Sequence, residues 1–256
     1  MAVHFEREEH VAVITIDRPE ARNAVNAETA GLLYSLFKRF DADDSLSVAV
    51  LTGAGGQFCA GYDLKEVSGS AAAPTRQRET DEGPLGCSRL LLSKPVIAAV
   101  EGHAVAGGLE LALWCDMRVA AEGAVFGVYC RRWGVPLMDG GTVRLPRLIG
   151  QSQAMDMILT GRGVSGEEAR TMGLANRLVP DGQALPAAKQ LAHELAALPP
   201  ICLRSDRLSV HEQWGLDLAG ALANEAARGA NVLRTGESRA GAARFAAGEG
   251  RHGKPA

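Results

Sequence analysis

The sequence predicts an α/β fold with a parallel sheet, followed by a region of helices. Short apolar, β-branched runs recur along the first half of the chain, and turns of small residues and helical patterns follow them. A recurring order of strand, turn and helix is typical of parallel sheets, whose connections must cross over. After about Gly150 the pattern changes to alanine-rich amphipathic helices, which indicates a helical C-terminal region.

Four segments of the first half are predicted to be strands. The first alternates along its length, and the other three are short apolar runs that suit buried strands. They are residues 10–16, 48–52, 95–100 and 117–121.

Helical patterns and turns connect these strands. Residues 27–40 carry leucine and phenylalanine along one helix face, and residues 85–92 and 109–115 are also predicted to be helical. Residues 102–108 form a turn of glycine and alanine. Residues 68–84 are rich in Ser, Ala, Gly, Pro and charge, which predicts a mobile surface loop with some helix.

The predicted organisation is an α/β core over residues 1–195 and a helical region over residues 196–256. Near the end of the core, residues 151–159 are helical, Ser165 to Glu168 form a capping box, and a short strand follows. The helical patterns that follow cover residues 187–198, 203–214, 218–233 and 237–247. Helices of this kind pack on their own core or on a neighbouring subunit.

Composition excludes several classes of function. The net charge of −3 provides no basic surface for nucleic acid. Five cysteines without a CxxC pair indicate neither a disulfide framework nor a zinc site. The apolar stretch 95–115 contains Glu101, His103 and Glu110, so it is expected to be core and not a membrane span. With no signal-peptide pattern at the N-terminus, a cytoplasmic protein is expected.

Two turns stand out because each places small residues where a strand passes into a helix. The first is Ala60-Gly-Tyr-Asp63 and the second is Ala106-Gly-Gly108. The first N–H groups of a helix have no partner within it and attract negative charge. Side by side, two such turns would supply convergent donors to an oxyanion. Each turn alone is more typical of a plain strand-to-helix connection.

At this spacing the two turns resemble those of the enoyl-CoA hydratase/isomerase (crotonase) family. Further segments match that family in order over nearly the whole chain, which is more specific than a single glycine motif. The matching segments are 18–24, 58–65, 94–112, 115–116, 126–127, 140–150, 159–162 and 169–174.

The resemblance implies a spiral of ββα units (a ClpP-like fold) with a C-terminal helical trimerisation region. The backbone N–H groups of Tyr62 and Gly107 would form the oxyanion hole. An acyl-CoA thioester would be the substrate, and the assembly would be a homotrimer or a dimer of trimers. No metal and no cofactor are implied, since coenzyme A is part of the substrate.

The resemblance also implies residues for the coenzyme A channel. The backbone from Ala60 to Lys65 would line it, which makes Ala60, Asp63, Leu64 and Lys65 candidate binding residues. Lys65 would lie near the phosphates.

Hydration through an enolate also needs acid and base groups. Hydratases of the family use two glutamates, and the first is present as Glu110. The position of the second is Cys130, which is either a weak acid or a small apolar residue. Asp139, in the turn before the next helix, is the other candidate; it is equally compatible with a helix cap or a turn hydrogen bond.

The function expected from this resemblance is enoyl-CoA hydration, a lyase reaction that adds water to a 2-enoyl-CoA. Because Cys130 replaces the second glutamate, three alternatives stay open. They are an enoyl-CoA isomerase, an acyl-CoA hydrolase of the same fold, and an acyl-CoA binder with weak catalysis.

Overall fold

A computed structural model describes residues 1–69 and 82–250. Most of the predicted loop 68–84 falls outside the described residues. The chain divides into two compact units, Met1–His193 and Glu194–Ala256. Within the described ranges no helix has both the length and the apolar character needed to span a bilayer.

The first unit contains a six-stranded sheet in the order β1-β2-β3-β4-β6-β9. Strands β1 and β2 form an antiparallel hairpin, and every other neighbouring pair is parallel. The parallel α/β sheet predicted from the sequence is therefore confirmed. The strands are β1 (Val3–Glu8), β2 (Val11–Ile16), β3 (Val48–Gly53), β4 (Val96–Val100), β6 (Met117–Ala121) and β9 (Arg177–Val179).

A second sheet has three strands in the order β5-β7-β8, with β5 and β7 parallel. Its strands are β5 (His103–Val105), β7 (Val125–Gly127) and β8 (Gly163–Ser165). The sequence pattern placed residues 102–108 in one turn, which is wrong in part. Three of these residues pair with β7, although a glycine- and alanine-rich run carries no strand pattern.

Seven helices of the described chain begin in the first unit. They are α1 (Ala27–Ala42), α2 (Leu64–Gly69), α3 (Gly107–Trp114), α4 (Gly141–Ile149), α5 (Gln151–Thr160), α6 (Gly166–Thr171) and α7 (Ala184–Ala196). Asn26 caps α1, and Ser165 caps α6 by accepting from the Glu168 N–H, as the capping box predicts.

The predicted helix over residues 85–92 is wrong. Only Cys87–Arg89 form a short 3-10 turn. Gly86 adopts φ +80°, and a Cβ at this position would overlap the Ala30 carbonyl. The chain therefore approaches α1 too closely to continue as a helix.

In the second unit, α8 (Pro200–Glu212), α9 (Leu218–Thr235) and α10 (Glu237–Ala247) correspond to the predicted helices. The Glu237 carboxylate accepts from the Ile201 and Cys202 N–H groups at 3.1 and 2.7 Å and so caps α8. Glu212 accepts from Asn224 and Arg228 at 2.8 and 2.7 Å, which ties α8 to α9.

Candidate active site

The two predicted turns lie side by side because the chain after Phe58 pairs with β5. Cys59 N donates to His103 O at 2.9 Å, and Val105 N donates to Cys59 O at 3.1 Å. A Cβ on Gly61 would lie 2.7 Å from the Gly107 nitrogen, and Gly61 has φ +97°. Only glycine tolerates both the contact and the conformation, so Gly61 lets the first turn reach the start of α3.

The orientation of two peptide groups determines where the candidate oxyanion donors, the N–H groups of Tyr62 and Gly107, point. Gly61 O accepts from Val25 N at 2.8 Å. Since C=O and N–H of one trans peptide point in opposite directions, the Tyr62 N–H points away from Val25. Ala106 O accepts from Glu110 N at 3.2 Å, so the Gly107 N–H points out of the N-terminus of α3.

Tyr62 and Gly107 both line one cavity of about 700 Å³. The structure thus brings the predicted donor pair together in one place, and its catalytic role stays a prediction. The Tyr62 hydroxyl donates to Glu66 Oε2 at 2.9 Å, which ties the ring to α2.

Ala106, which precedes the second donor, is held in a costly conformation. It has φ +54° and ψ −124°, which a residue with a Cβ rarely adopts. Its N–H donates to Gly127 O at 2.8 Å, so β7 holds the turn in place. Strained residues of this kind concentrate at functional sites, where the surrounding structure stabilises them.

The segment 18–24 holds the first turn in place. Arg18 Nη2 donates to Asp63 Oδ2 at 3.0 Å, and Lys65 N donates to Asp63 Oδ1 at 3.1 Å. The fully buried Asn23 accepts from Arg18 N at 2.9 Å and donates to Ala54 O at 2.9 Å. These contacts give Arg18, Asn23 and Asp63 a shared structural role in holding the first turn.

Glu110 lies in the first turns of α3 with its carboxylate held by a distant turn. Its Oε1 accepts from Asp139 N at 2.8 Å and from Gly141 N at 2.7 Å. A Cβ on Gly141 would lie 3.0 Å from Glu110 Oε1, so glycine at this position gives the carboxylate room to approach the turn. The side chain is buried yet lines the cavity.

Burial, with the negative charge of Asp139, raises the pKa of Glu110 from 4.5 to about 7. A carboxyl group with this pKa can both accept and release a proton near neutral pH.

Asp139 lines the same cavity and is also buried. Its Oδ1 accepts from Leu85 N at 3.0 Å and from the Ser88 hydroxyl in a short contact. It does not cap α4, because Gly140 occupies the N-cap position without a side-chain bond. Burial raises the pKa of Asp139, against the hydrogen bonds from Ser88 and Leu85.

Cys130 lies on a short 3-10 helix, Tyr129–Trp133, and completes this part of the cavity. Burial, followed by the charge of Glu110, raises the pKa of its thiol. The group is therefore a protonated thiol at neutral pH, and it lies close enough to Glu110 for the carboxylate charge to disfavour ionisation of the thiol.

Tyr129 forms a closely packed part of the cavity wall that sequence reasoning missed. A Cβ on Gly127 would lie 2.6 Å from the ring, and one on Gly163 would lie 2.7 Å from its hydroxyl. The Arg132 guanidinium stacks 4.0 Å from the ring centroid. Glycines on one side and a guanidinium on the other hold the ring in place.

Several other lining residues were also missed by sequence reasoning. Their apolar character gives no motif, and only the fold collects them around one cavity. They are Pro84, Leu85, Val105, Trp133, Val135, Pro136 and Met138, with Arg22 as an exposed cation of the same lining.

Of the four predicted coenzyme A contacts, Ala60 and Leu64 line the cavity and Asp63 and Lys65 do not. The Asp63 carboxylate bonds to Arg18, whereas Lys65 is exposed near the start of α2. A binding role for these residues stays a prediction.

Comparison with known proteins agrees with the fold. The family model for enoyl-CoA hydratase/isomerase matches residues 6–251. Enoyl-CoA hydratase EchA19 of Mycobacterium tuberculosis is 41% identical over 81% of this chain and 79% of its own length. Carnitinyl-CoA dehydratase of Salmonella agona is 39% identical over 79% of this chain and 77% of its own.

A solved structure gives the same result. The crystal structure of enoyl-CoA hydratase EchA1 from Mycobacterium marinum superposes with a TM-score of 0.89 at 38% identity, covering 96% of this chain and 95% of that one. The crotonase fold with C-terminal helices is therefore confirmed.

Fold and cavity together define an acyl-CoA enzyme of the crotonase class. This chain belongs to the enoyl-CoA hydratase/isomerase family.

Proposed function

We propose that this protein is an enoyl-CoA hydratase, which adds water across the double bond of a 2-enoyl-CoA. The observation that carries the proposal is one cavity holding Glu110, Asp139 and the N–H groups of Tyr62 and Gly107. Attack of water at the β-carbon moves negative charge onto the thioester oxygen. Two fixed donors stabilise that charge more in the transition state than in the ground state.

Glu110 is proposed to activate the water. Its Oε1 is fixed by two backbone donors, and a backbone hydrogen bond from Met138 also favours the ionised carboxylate, so the group is held in place for proton transfer. The pKa of about 7 supports this role, because a base with a pKa near the working pH combines availability with driving force. Hydrogen bonds from Ser88 and Leu85 fix Asp139 in the same cavity. Burial raises the pKa of Asp139 despite these bonds, which supports Asp139 as the proton donor to the α-carbon.

The cationic groups around the first turn are proposed to contact the phosphates of coenzyme A. Arg22 lies on the cavity lining and is exposed, and Lys65 is exposed three residues after Tyr62. Together with the lining residues Ala60 and Leu64, they would place the thioester end of the substrate toward Gly107.

A second candidate function is double-bond isomerisation of a 3-enoyl-CoA. Two observations favour it. The charges of Glu110 and Asp139 interact, and the Cys130 thiol occupies the position where hydratases of the family carry their second glutamate. Two carboxylates around one enolate would suit removal of a proton at one carbon and its return at another.

Separate incubation with crotonyl-CoA and with a 3-enoyl-CoA tests the two candidates. Hydration is expected as loss of the conjugated-enone absorbance of crotonyl-CoA, with 3-hydroxybutyryl-CoA as product. Formation of a 2-enoyl-CoA from the 3-enoyl substrate, with crotonyl-CoA unchanged, would favour the isomerase. Binding of both without product would leave a non-catalytic acyl-CoA binder.

A homotrimer or a dimer of trimers is proposed for the assembly. Large apolar side chains of the second unit are exposed in the single chain, among them Val210, Trp214, Leu218 and Leu222. Sedimentation equilibrium is expected to give three or six chains, and a concentration-independent monomer would overturn the proposal.

A further inference from the structure

Arg144 lies over the turn that carries Asp139. From α4 its Nη1 donates to Asp139 O at 2.8 Å and its Nη2 donates to Ser88 O at 2.8 Å. A Cβ on Gly140 would collide with the guanidinium, so the absence of a side chain there lets the cation lie against the turn. The side chain is half-buried and is not part of the main cavity lining.

The two carbonyls that Arg144 binds belong to the two segments that assemble the carboxylates. Ser88 donates its hydroxyl to Asp139 Oδ1 from one segment. On the other segment, the N–H groups of Asp139 and Gly141 hold Glu110 Oε1. One guanidinium thus joins the segment that orients Asp139 to the turn that orients Glu110. Its planar fork suits this task because two donors are fixed relative to each other.

We propose that Arg144 is a positioning residue for the reaction, which holds Glu110 and Asp139 in one geometry by bridging Ser88 and Asp139. It touches neither substrate nor reacting atoms, and it acts through the turn. The kinetic test of this inference rests on the proposed function, because it measures hydration. The NMR titration of the carboxyl groups depends only on the geometry.

The charge of Arg144 acts on the same two groups. Around Asp139 the charged and titratable neighbours are Arg89, Arg144, Glu110 and Cys87. Arg89 is exposed and contributes charge, with one longer bond from its Nη2 to Met138 O at 3.3 Å. Both arginines favour the ionised form of Asp139, and Arg144 also interacts with Glu110. Arg89 therefore provides a matched comparison, in which a nearby charge is removed without the bridge.

The experiment compares Arg144→Lys, Arg144→Met and Arg89→Met with the unaltered protein. Circular dichroism first shows that each variant is folded. Steady-state hydration of crotonyl-CoA gives kcat and KM. Titration of ¹³C-labelled carboxyl groups by NMR, with signals assigned through Glu110→Gln and Asp139→Asn, follows both carboxylates without any turnover.

Arg144→Lys keeps the charge and loses the fork, so kcat is expected to fall about tenfold or more with KM within about threefold. Arg144→Met is expected to show the same loss and to move both carboxyl titrations to higher pH. Arg89→Met is expected to move the Asp139 titration upward with kcat within about threefold of the unaltered protein.

Two results would overturn the inference. One is a kcat for Arg144→Lys within about threefold of the unaltered protein. The other is Arg144→Met leaving both carboxyl titrations unmoved. If the unaltered protein does not hydrate crotonyl-CoA, the proposed function fails, and the carboxyl titrations alone decide on Arg144.

Discussion

The two sides of the cavity are built in different ways. On the inner side, Glu110 and Asp139 are buried, and backbone N–H groups hold one oxygen of each. On the outer side, the wall is apolar, and Trp133 is 71% exposed in the single chain. Cys130 lies where the two sides meet.

This difference separates chemistry from substrate choice. Backbone donors keep their positions whatever side chains surround them, so the inner side is suited to preorganised charge stabilisation. An apolar wall distinguishes acyl groups only through shape and buried area, which gives modest selectivity per methylene. Changes to the inner side should therefore abolish turnover, and changes to the outer wall should alter it little.

The largest effect is expected at Gly107. Pro at the first position of a helix preserves the helix but removes the N–H, so Gly107→Pro should reduce kcat at least ~100-fold. Gly107→Ala is the matched control because it adds a side chain and keeps the donor. A Cβ there would meet the flexible end of Leu85 at 2.8 Å, so Gly107→Ala should lose less activity.

Equal losses in the two variants would show that crowding against Leu85, and not the missing donor, causes the effect. Retained activity in Gly107→Pro would exclude this N–H from the oxyanion hole. Hydration of crotonyl-CoA is the measurement for both variants.

Glu110→Gln should lower kcat at least ~100-fold, the lower end of what acid–base catalysis contributes. Glutamine still accepts hydrogen bonds from Asp139 N and Gly141 N, so the variant loses proton transfer and keeps the geometry. Binding of butyryl-CoA, measured by calorimetry, should stay within about threefold. A kcat of Glu110→Gln within about threefold of the unaltered protein would exclude Glu110 as an acid–base group.

The pH dependence should show the coupling between the two carboxylates. As a base, Glu110 must be ionised, so kcat/KM should fall as pH drops below about 7. The charge of Asp139 disfavours that ionisation and raises the pKa of Glu110. A protonated Asp139, which the role of proton donor requires, carries no such charge, so Asp139→Asn should then lower the plateau about tenfold or more and leave the acidic limb in place. An ionised Asp139 would instead give a limb that moves to lower pH in Asp139→Asn.

A limb that moves to lower pH in Asp139→Asn would show that Asp139 is ionised in the free enzyme and would exclude it as the proton donor. A rise of kcat/KM toward acid pH in the unaltered protein would instead assign Glu110 as the acid. The measurement is the pH profile of crotonyl-CoA hydration for both proteins.

Local patterns predicted most of the fold. The alternating run before Arg18 became a strand, as its periodicity predicts, and the runs 48–52 and 117–121 became buried strands, as their short apolar composition predicts. The hairpin strand β1 (Val3–Glu8) was missed, since charged residues interrupt its alternation. The short strand β5 was missed because tertiary pairing with Cys59 and β7, and not composition, defines it.

The candidate site could be predicted only in part. Glycines and a glutamate at fixed spacing located the two turns and Glu110. The partners of Glu110 lie 29 and 31 residues further along the chain, and Ser88 lies 51 residues before Asp139. Such pairings arise from the fold and leave no local signal in the sequence. The hydrogen bonds that fix Glu110 and Asp139 could therefore be found only from the structure.

The smallest effect is expected at Cys130, where the inner side meets the wall. A buried, protonated thiol acts as a small apolar residue, so Cys130→Ala should change kcat less than about threefold. If Cys130 supplied the proton instead, kcat of Cys130→Ala would fall about 100-fold, and the role of Asp139 would be limited to holding the turn.

A double variant sharpens this comparison. Cys130→Glu in the Asp139→Asn background places a carboxyl group where the resemblance puts the second glutamate. If Asp139 supplies the acid group that Cys130 lacks, the added carboxyl should recover part of the lost turnover. The Asp139→Asn change also removes a nearby negative charge, which should make it easier for the added carboxyl group to ionise beside Glu110. No recovery of crotonyl-CoA hydration would indicate that Asp139 acts by fixing the turn around Glu110 rather than by donating a proton.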